Sequence, residues 1–136
     1  MANNGAVSIS VTLDKSKTPY RLYVDQRSQH NEIHSQRGTI TVKWHLAGDA
    51  AGGAFLQLSG NEPGFAWNAS GPPDGVFGAP HLAADGKSLS IVDEQPEYLG
   101  EWTYTLRARI DGTVYVGEPL HLTATRGSSD PIIRNK

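Results

Sequence analysis

Apolar and polar residues alternate along much of the chain, and this period of two is typical of a β-strand with one face in a core. The alternation is clearest in residues 102–110, whose apolar series is Trp102, Tyr104, Leu106, Ala108 and Ile110. Residues 7–13 and 39–46 show the same period, with Val, Ile, Leu or Trp at every second position. No stretch longer than about two turns has the helical period. The pattern predicts an all-β protein whose sheets keep one face in water.

Less regular stretches and turn residues extend this prediction over the rest of the chain. Five more strands are predicted at residues 20–24, 54–58, 88–92, 113–116 and 120–125. Asp111-Gly112 separates two of the predicted strands and favours a hairpin, because Asp-Gly readily adopts the positive φ angles of a type I′ turn. Asp85-Gly86 predicts another turn. We therefore predict one domain over residues 1–136, an antiparallel β-sandwich of about seven to nine strands, with a closed barrel as the alternative.

The composition excludes several classes of protein. The 136 residues include no Cys, which removes disulfides, thiolate nucleophiles and Cys-ligated metals. The chain has 12 Lys and Arg and 14 Asp and Glu, so it lacks the excess of basic residues that is typical of a nucleic-acid-binding protein. No apolar stretch approaches the ~20 residues that span a bilayer, and the first residues do not resemble a secretory signal. We expect a soluble cytoplasmic protein whose partner is neither nucleic acid nor a membrane.

The stretch from residue 59 to residue 80 has five Gly and four Pro among apolar residues, which predicts a long ordered connection rather than a strand. Within it, Phe65, Trp67 and Asn68 are candidate ligand-binding residues, because exposed aromatic side chains stack on sugar rings and anchor protein partners. Alternatively, Phe65, Trp67 and Phe77 cap an open end of the sandwich and pin the connection. The sequence favours the cap and leaves both interpretations open.

Two features of the sequence resemble the immunoglobulin-like fold. Trp44 falls at an inward position of a predicted strand, like the core tryptophan of the third strand in that fold. Residues 98–104, Tyr-Leu-Gly-Glu-Trp-Thr-Tyr, resemble the Asp-x-Gly-x-Tyr-x-Cys motif of its sixth strand, with Trp102 at the Tyr position and Tyr104 at the Cys position. The resemblance implies an immunoglobulin-like sandwich without the usual disulfide. Trp44 is then expected to pack against Tyr104 by burial alone and to hold the sheets together.

A narrower similarity is to the small bacterial proteins of the DP-EP family, whose name records Asp-Pro and Glu-Pro dipeptides. The corresponding dipeptides here are Asp130-Pro131 and either Glu118-Pro119 or Glu62-Pro63. This similarity covers most of the chain and implies an immunoglobulin-like sandwich. Because the family is functionally uncharacterised, the similarity implies no activity.

One pair of histidines, His30 and His34, has metal-like spacing, because two imidazoles four residues apart face the same way on a helix. A metal site needs further ligands, for which the sequence offers His45, His81, Asp25 and Glu32. Residues 25–38, however, have the composition of a polar loop. The sequence favours a solvated loop over a metal site.

Charged residues elsewhere form no catalytic motif: the chain has no nucleophile elbow, phosphate-binding loop or dinucleotide-binding motif. Arg107 and Arg109 lie on the predicted polar face of their strand, together with Thr105, and cross-strand carboxylates are their expected partners. Asp93 and Glu94 are adjacent carboxylates that face opposite ways on a strand.

These observations lead to one leading functional hypothesis and two alternatives. We expect a non-enzymatic immunoglobulin-like module, without a cofactor, that acts by contact with another protein or by self-association into a homo-oligomer. The first alternative is a carbohydrate-binding module that uses the aromatic residues Phe65 and Trp67. The second, less favoured, is a metal site at His30 and His34.

Overall fold

The computed structural model describes residues 5–16, 18, 20–25, 32–33, 38–68, 71–117 and 131–135. Within these ranges eleven strands form two open sheets, which confirms the predicted all-β sandwich. The strands are β1 (Gly5–Asp14), β2 (Arg21–Val24), β3 (Glu32–Ile33), β4 (Ile40–Leu46), β5 (Ala54–Phe55), β6 (Phe65–Trp67), β7 (His81–Leu82), β8 (Ser88–Asp93), β9 (Gly100–Ile110), β10 (Thr113–Gly117) and β11 (Ile132–Asn135). Their number exceeds the prediction because β3, β6, β7 and β11, each of two to four residues, were not predicted as strands. The prediction that residues 59–80 contain no strand is wrong at β6, which pairs with β9.

The first sheet has five strands in the order β2-β1-β4-β8-β7, and the second has six. In the second sheet the order is β10-β9-β11-β3, with β5 and β6 also paired to β9. Most pairs are antiparallel, as predicted, but β1 runs parallel to β4 and β11 runs parallel to β3. Strand β2 pairs with one edge of β1, and β3 then pairs within the other sheet. When the chain returns to the first sheet, β4 pairs with the free edge of β1 and runs in the same direction as β1.

The predicted hairpin and turn are both confirmed. Strand β9 leads into β10 through Asp111 and Gly112, whose φ angles of 51° and 80° are the positive pair that a type I′ turn requires. Gly86 has a φ of 73° in the second turn, where the backbone N–H of Lys87 donates to Asp85 Oδ1 at 2.9 Å. The strand predicted at 120–125 and the dipeptide Glu118-Pro119 lie outside the described residues.

The core lies between the two sheets, and its centre is the pair Trp44 and Tyr104. Both side chains are fully buried, with Trp44 on β4 and Tyr104 on β9 of the opposite sheet. Trp44 Nε1 donates a hydrogen bond of 2.9 Å to Tyr104 Oη, and the ring centroids are 5.1 Å apart. Burial raises the pKa of the Tyr104 phenol, so this hydroxyl stays protonated. The expectation that burial alone joins this pair was incomplete, because a hydrogen bond links the sheets as well.

The outward face of β9 is less exposed than its alternating pattern predicts. Thr105 is buried, and its Oγ1 donates to Asn68 Oδ1 at 2.9 Å. Arg107 donates to the backbone carbonyl of Pro63 at 3.0 Å rather than to a cross-strand carboxylate. The residues that contact these side chains flank β6, with Pro63 before the strand and Asn68 directly after it. Separately, no helix among the described residues is long and apolar enough to cross a membrane.

Candidate interaction site at the start of strand β9

A continuous line of aromatic rings runs from the core to one edge of the sandwich. From the core outward the rings belong to Trp44, Tyr104, Phe65, Trp67, Phe77, Trp102 and Tyr98. Successive ring centroids lie 5.1 to 6.4 Å apart, within the range in which aromatic pairs attract each other. The outermost rings are therefore packed against a series of rings that leads back to the core.

The line ends at exposed apolar side chains. Tyr98 is 46% exposed and Leu99 is 64% exposed, and the ring of Tyr98 lies 6.4 Å from the partly buried ring of Trp102. Single exposed apolar residues are ordinary on protein surfaces, whereas adjacent ones beside an aromatic ring are typical of contact sites. We refer to Tyr98, Leu99 and Trp102 as the apolar patch.

The patch is carried by a loop of residues 94–99, which hydrogen bonds hold in one conformation. Val76 O accepts bonds from the backbone N–H of Glu94 at 2.8 Å and of Gln95 at 3.3 Å, and Tyr98 N donates to Gln95 O at 2.9 Å. From β11, Asn135 Nδ2 donates to Tyr98 O at 3.0 Å and to Gln95 O at 3.4 Å. The loop is thus fastened from two sides, so the patch loses little conformational freedom when a partner binds.

Gly100 allows the Trp102 ring of the patch to pack against the backbone. A Cβ at this position would lie 2.7 Å from the Trp102 ring, closer than any real contact, so only glycine lets the indole rest on the backbone there. The Gly-x-Trp spacing in the 98–104 motif therefore has a local packing role.

Acidic groups surround the patch. Glu94 and Glu97 are exposed on the loop, and within the described part of the chain neither forms an ion pair. Glu101 is also exposed, but its Oε2 lies 2.9 Å from Nε of Arg134, which neutralises it. The rim of the patch is consequently negative.

A buried carboxylic acid lies beneath the same loop. Asp93, the last residue of β8, has no exposed surface, and its Oδ1 accepts a bond of 3.2 Å from the backbone N–H of Gln95. Among the described residues its Oδ2 has no hydrogen-bond partner. The pKa of Asp93 is raised to about 6 by burial above all, with a smaller contribution from the charge of Glu97, and the bonds from Gln95 and Asn135 offset this rise only in part.

Sequence reasoning noted Asp93 only as one of two adjacent carboxylates and did not place it in the core. A signal was present, because Leu89, Ile91 and Asp93 continue one inward series at every second position of β8. The exposed patch had a weaker signal. The 98–104 motif was interpreted as a fold feature, and nothing in its pattern predicts that Tyr98 and Leu99 face water.

The structure divides the predicted ligand-binding group. Phe65 is only 4% exposed and stacks on Tyr104, so it belongs to the core. Trp67 is partly buried against Phe65 and Phe77, and the backbone at Gly71 lies against its side chain. Asn68 directly follows β6, and its side chain points away from those of Phe65 and Trp67 to accept the bond from Thr105. The three residues do not form one surface.

The predicted metal ligands His30 and His34 lie outside the described residues. Of the other suggested ligands, His45 lies between two serines, with Nδ1 3.2 Å from Ser8 Oγ and Nε2 3.1 Å from Ser10 Oγ. Across the described ranges no three His, Cys, Asp or Glu side chains are grouped so as to hold a metal ion.

Two open surface depressions, of about 410 and 420 Å³, adjoin β5 at another corner of the sandwich. Their walls combine Gly and Ala residues with charged side chains, which are Lys87, Arg109 and Asp111 in the first depression and Asp85 in the second. Lys87 lines the first, but its Nζ donates to the carbonyls of Gly53 at 2.7 Å and Ala51 at 3.1 Å. Lys87 is therefore already bound by backbone groups, and both depressions are open to solvent.

Comparison with known proteins adds no family to this description. No family model matches the chain, and no curated protein is similar enough to count as a relative. The fold and the site define the molecule as a cysteine-free β-sandwich with a rigid, acid-rimmed apolar patch.

Proposed function

We propose that this protein is a non-enzymatic binding module that contacts another protein through the apolar patch. The observation that carries the proposal is the exposure of Tyr98 and Leu99, 46% and 64%, on a loop that donates hydrogen bonds to Val76 and accepts them from Asn135. Aromatic and large apolar side chains that are already ordered contribute most of the energy in protein interfaces, because little entropy is lost when they bind.

The charges around the patch favour a different protein over a second copy of this chain. In a two-fold symmetric dimer through this patch, Glu94 and Glu97 of one copy would meet the same carboxylates of the other. Such juxtaposition of like charges opposes association. The partner that fits is a protein with an apolar pocket rimmed by Lys or Arg.

The proposal extends to the immunoglobulin-like character of the sandwich. What supports it is that Trp44 and Tyr104 come from opposite sheets and meet in the core, as the disulfide-bonded cysteines of that fold do. On this interpretation Trp44 corresponds to a bridging cysteine rather than to the core tryptophan of the third strand.

Site-specific photocrosslinking tests the proposed contact. The photoreactive residue p-benzoylphenylalanine replaces Tyr98, and in a matched control it replaces Tyr20, which is 40% exposed outside the patch. Each protein is irradiated in cell lysate buffered at pH 4.5 and at pH 7.5, and an adduct at either pH counts as contact. We expect an adduct with a second protein from position 98 and not from position 20. The adduct should decrease at least tenfold when Leu99→Asp is added, and mass spectrometry should place Lys or Arg beside the crosslinked site.

Each other outcome counts against the proposal. An adduct of twice the chain's mass would establish self-association instead. Equal adducts from positions 98 and 20 would mean that the contacts are nonspecific, and no adduct from position 98 would leave the patch without a partner. An adduct that survives Leu99→Asp would place the interface elsewhere.

A further inference from the structure

The most unusual buried group in the described residues is Asp93, which lies where β8 ends and the 94–99 loop begins. It is fully buried, its Oδ1 accepts a bond of 3.2 Å from the backbone N–H of Gln95, and the side-chain amide of Asn135 lies against it. An ionised carboxylate buried in a protein normally accepts two or three hydrogen bonds or faces a cation. Its second oxygen, Oδ2, has neither a donor nor a cation within bonding distance in the described structure. The site therefore suits the neutral acid and not the carboxylate.

The same atoms that surround Asp93 hold the loop. The backbone N–H of Gln95 binds both Asp93 Oδ1 and Val76 O, and Asn135 lies against Asp93 while it bonds to Gln95 O and Tyr98 O. The main chain of Asp93 also pairs with that of Phe77, a ring in the line that supports the patch. Water reaches Asp93 only if these contacts separate, and their separation releases Tyr98.

Among the described residues, the charged groups around Asp93 do not supply a counterion. On the loop are Glu94 and Glu97, and the charge of Glu97 acts directly on Asp93. Asp74 lies on the segment that bridges to β8 through Phe77. On β9 and β11 the charged side chains near this loop are Glu101 and Arg134, which bind each other, whereas Arg107 and Arg109 lie farther along β9. Three of these neighbours are acidic and unpaired within the described structure, so ionisation of Asp93 adds charge to a negative region.

We propose that the proton on Asp93 controls presentation of the apolar patch. With the proton in place the loop stays closed and the patch is formed. When the proton leaves, the loop opens to hydrate the carboxylate, and the patch is lost. The consequence for partner binding rests on the proposed function, whereas the loop opening does not.

The pH range over which the loop opens follows from the proton affinity of Asp93. Burial raises the pKa of Asp93 from its ordinary value of 3.8 to about 6, so the open fraction of the loop rises between about pH 4 and pH 6 and levels off above that. If opening restores the ordinary proton affinity of an aspartate, the open fraction increases by up to about 25-fold between pH 4.5 and pH 7.5.

Amide hydrogen exchange followed by NMR measures the opening without a partner. The reporting amides are those of Gln95 and Tyr98, compared between the wild type and Asp93→Asn at the same pH, which cancels the intrinsic pH dependence of exchange. We expect the wild-type to variant ratio of exchange rates to rise at least tenfold from pH 4.5 to pH 7.5. A ratio that does not change with pH would overturn the proposal.

A second pair of variants keeps the test independent of Asp93→Asn. Glu97→Gln removes a charge that raises the proton affinity of Asp93, so we expect the midpoint of the loop's exchange and chemical-shift changes to move to lower pH. Glu94→Gln is the matched control, an exposed glutamate of the same loop whose removal should leave the midpoint in place. Equal midpoints in both variants would overturn the role of Asp93 even if Asp93→Asn does not fold.

Photocrosslinking from position 98 at the two pH values then separates the two proposals. Loss of the adduct at pH 7.5, with its retention in Asp93→Asn, supports control of binding. Loop opening in the exchange experiment without any adduct at either pH would refute the proposed function and leave the proton-controlled loop intact. If the loop opens but the adduct has the same yield at both pH values, the loop opening stands and only its control of binding is refuted.

Discussion

The hydrogen bond between Trp44 and Tyr104 makes a direct prediction for stability. Tyr104→Phe removes one oxygen and leaves the ring in place against Trp44 and Phe65. Both members of the pair have no exposed surface, so water cannot replace the lost hydroxyl, and the indole N–H is left buried without an acceptor. A buried donor that loses its only partner costs about 1 to 3 kcal/mol. We expect a loss of about 2 kcal/mol in the free energy of unfolding.

Urea denaturation followed by tryptophan fluorescence measures this loss, and thermal unfolding should show a fall of roughly 4 °C for each kcal/mol in a domain of this size. The matched control is Tyr115→Phe on β10, a partly buried tyrosine without a hydrogen-bonded hydroxyl in the described structure, which should change stability by less than about 0.5 kcal/mol.

A double-mutant cycle separates the hydrogen bond from ring packing. Trp44→Phe alone leaves a cavity and an unpaired phenol, whereas the double variant Trp44→Phe with Tyr104→Phe has no unpaired polar atom. The double variant should therefore be at least about 1 kcal/mol more stable than the sum of the single changes predicts. An additive cycle, or a Tyr104→Phe variant as stable as the wild type, would refute the view that this bond joins the sheets.

Two further predictions concern other parts of the structure. Asp93→Asn should raise the free energy of unfolding by about 2 to 3 kcal/mol at pH 7.5 and by little at pH 4, as measured by urea denaturation at both. The sign follows because a folded-state pKa raised to about 6 lowers the stability of the wild type as pH rises from about 4 to 6; an equal gain at both pH values would contradict it. Gly53→Ala should cost about 2 kcal/mol or more, because a Cβ there would lie 2.5 Å from the carbonyl oxygen of Arg109. Gly52→Ala, where nothing lies within 4 Å, is the control, and similar thermal stabilities for the two alanine variants would show that strand β9 moves aside.

The period-two pattern predicted the long strands because alternation is a local property of the chain. Residues 39–46 and 102–110 correspond to β4 and most of β9, and the hairpin at Asp111 and Gly112 followed from the φ angles that Asp-Gly permits. The same pattern places Trp44 and Tyr104 on inward faces, and both are buried.

The sequence by itself determined that this chain forms strands, which residues of those strands face a core, and where the tightest turn lies. Only the tertiary structure decided which strands are neighbours, and therefore that Trp44 meets Tyr104 across the sheets and that Thr105 bonds to Asn68. It also decided that Asp93 is buried beneath the 94–99 loop, where the described residues supply no counterion. The physical reason is the distance along the sequence over which each property is determined. Alternation and turn geometry depend on a few consecutive residues, whereas burial, hydrogen-bond partners and proton affinity depend on groups tens of residues apart that strand order alone brings together.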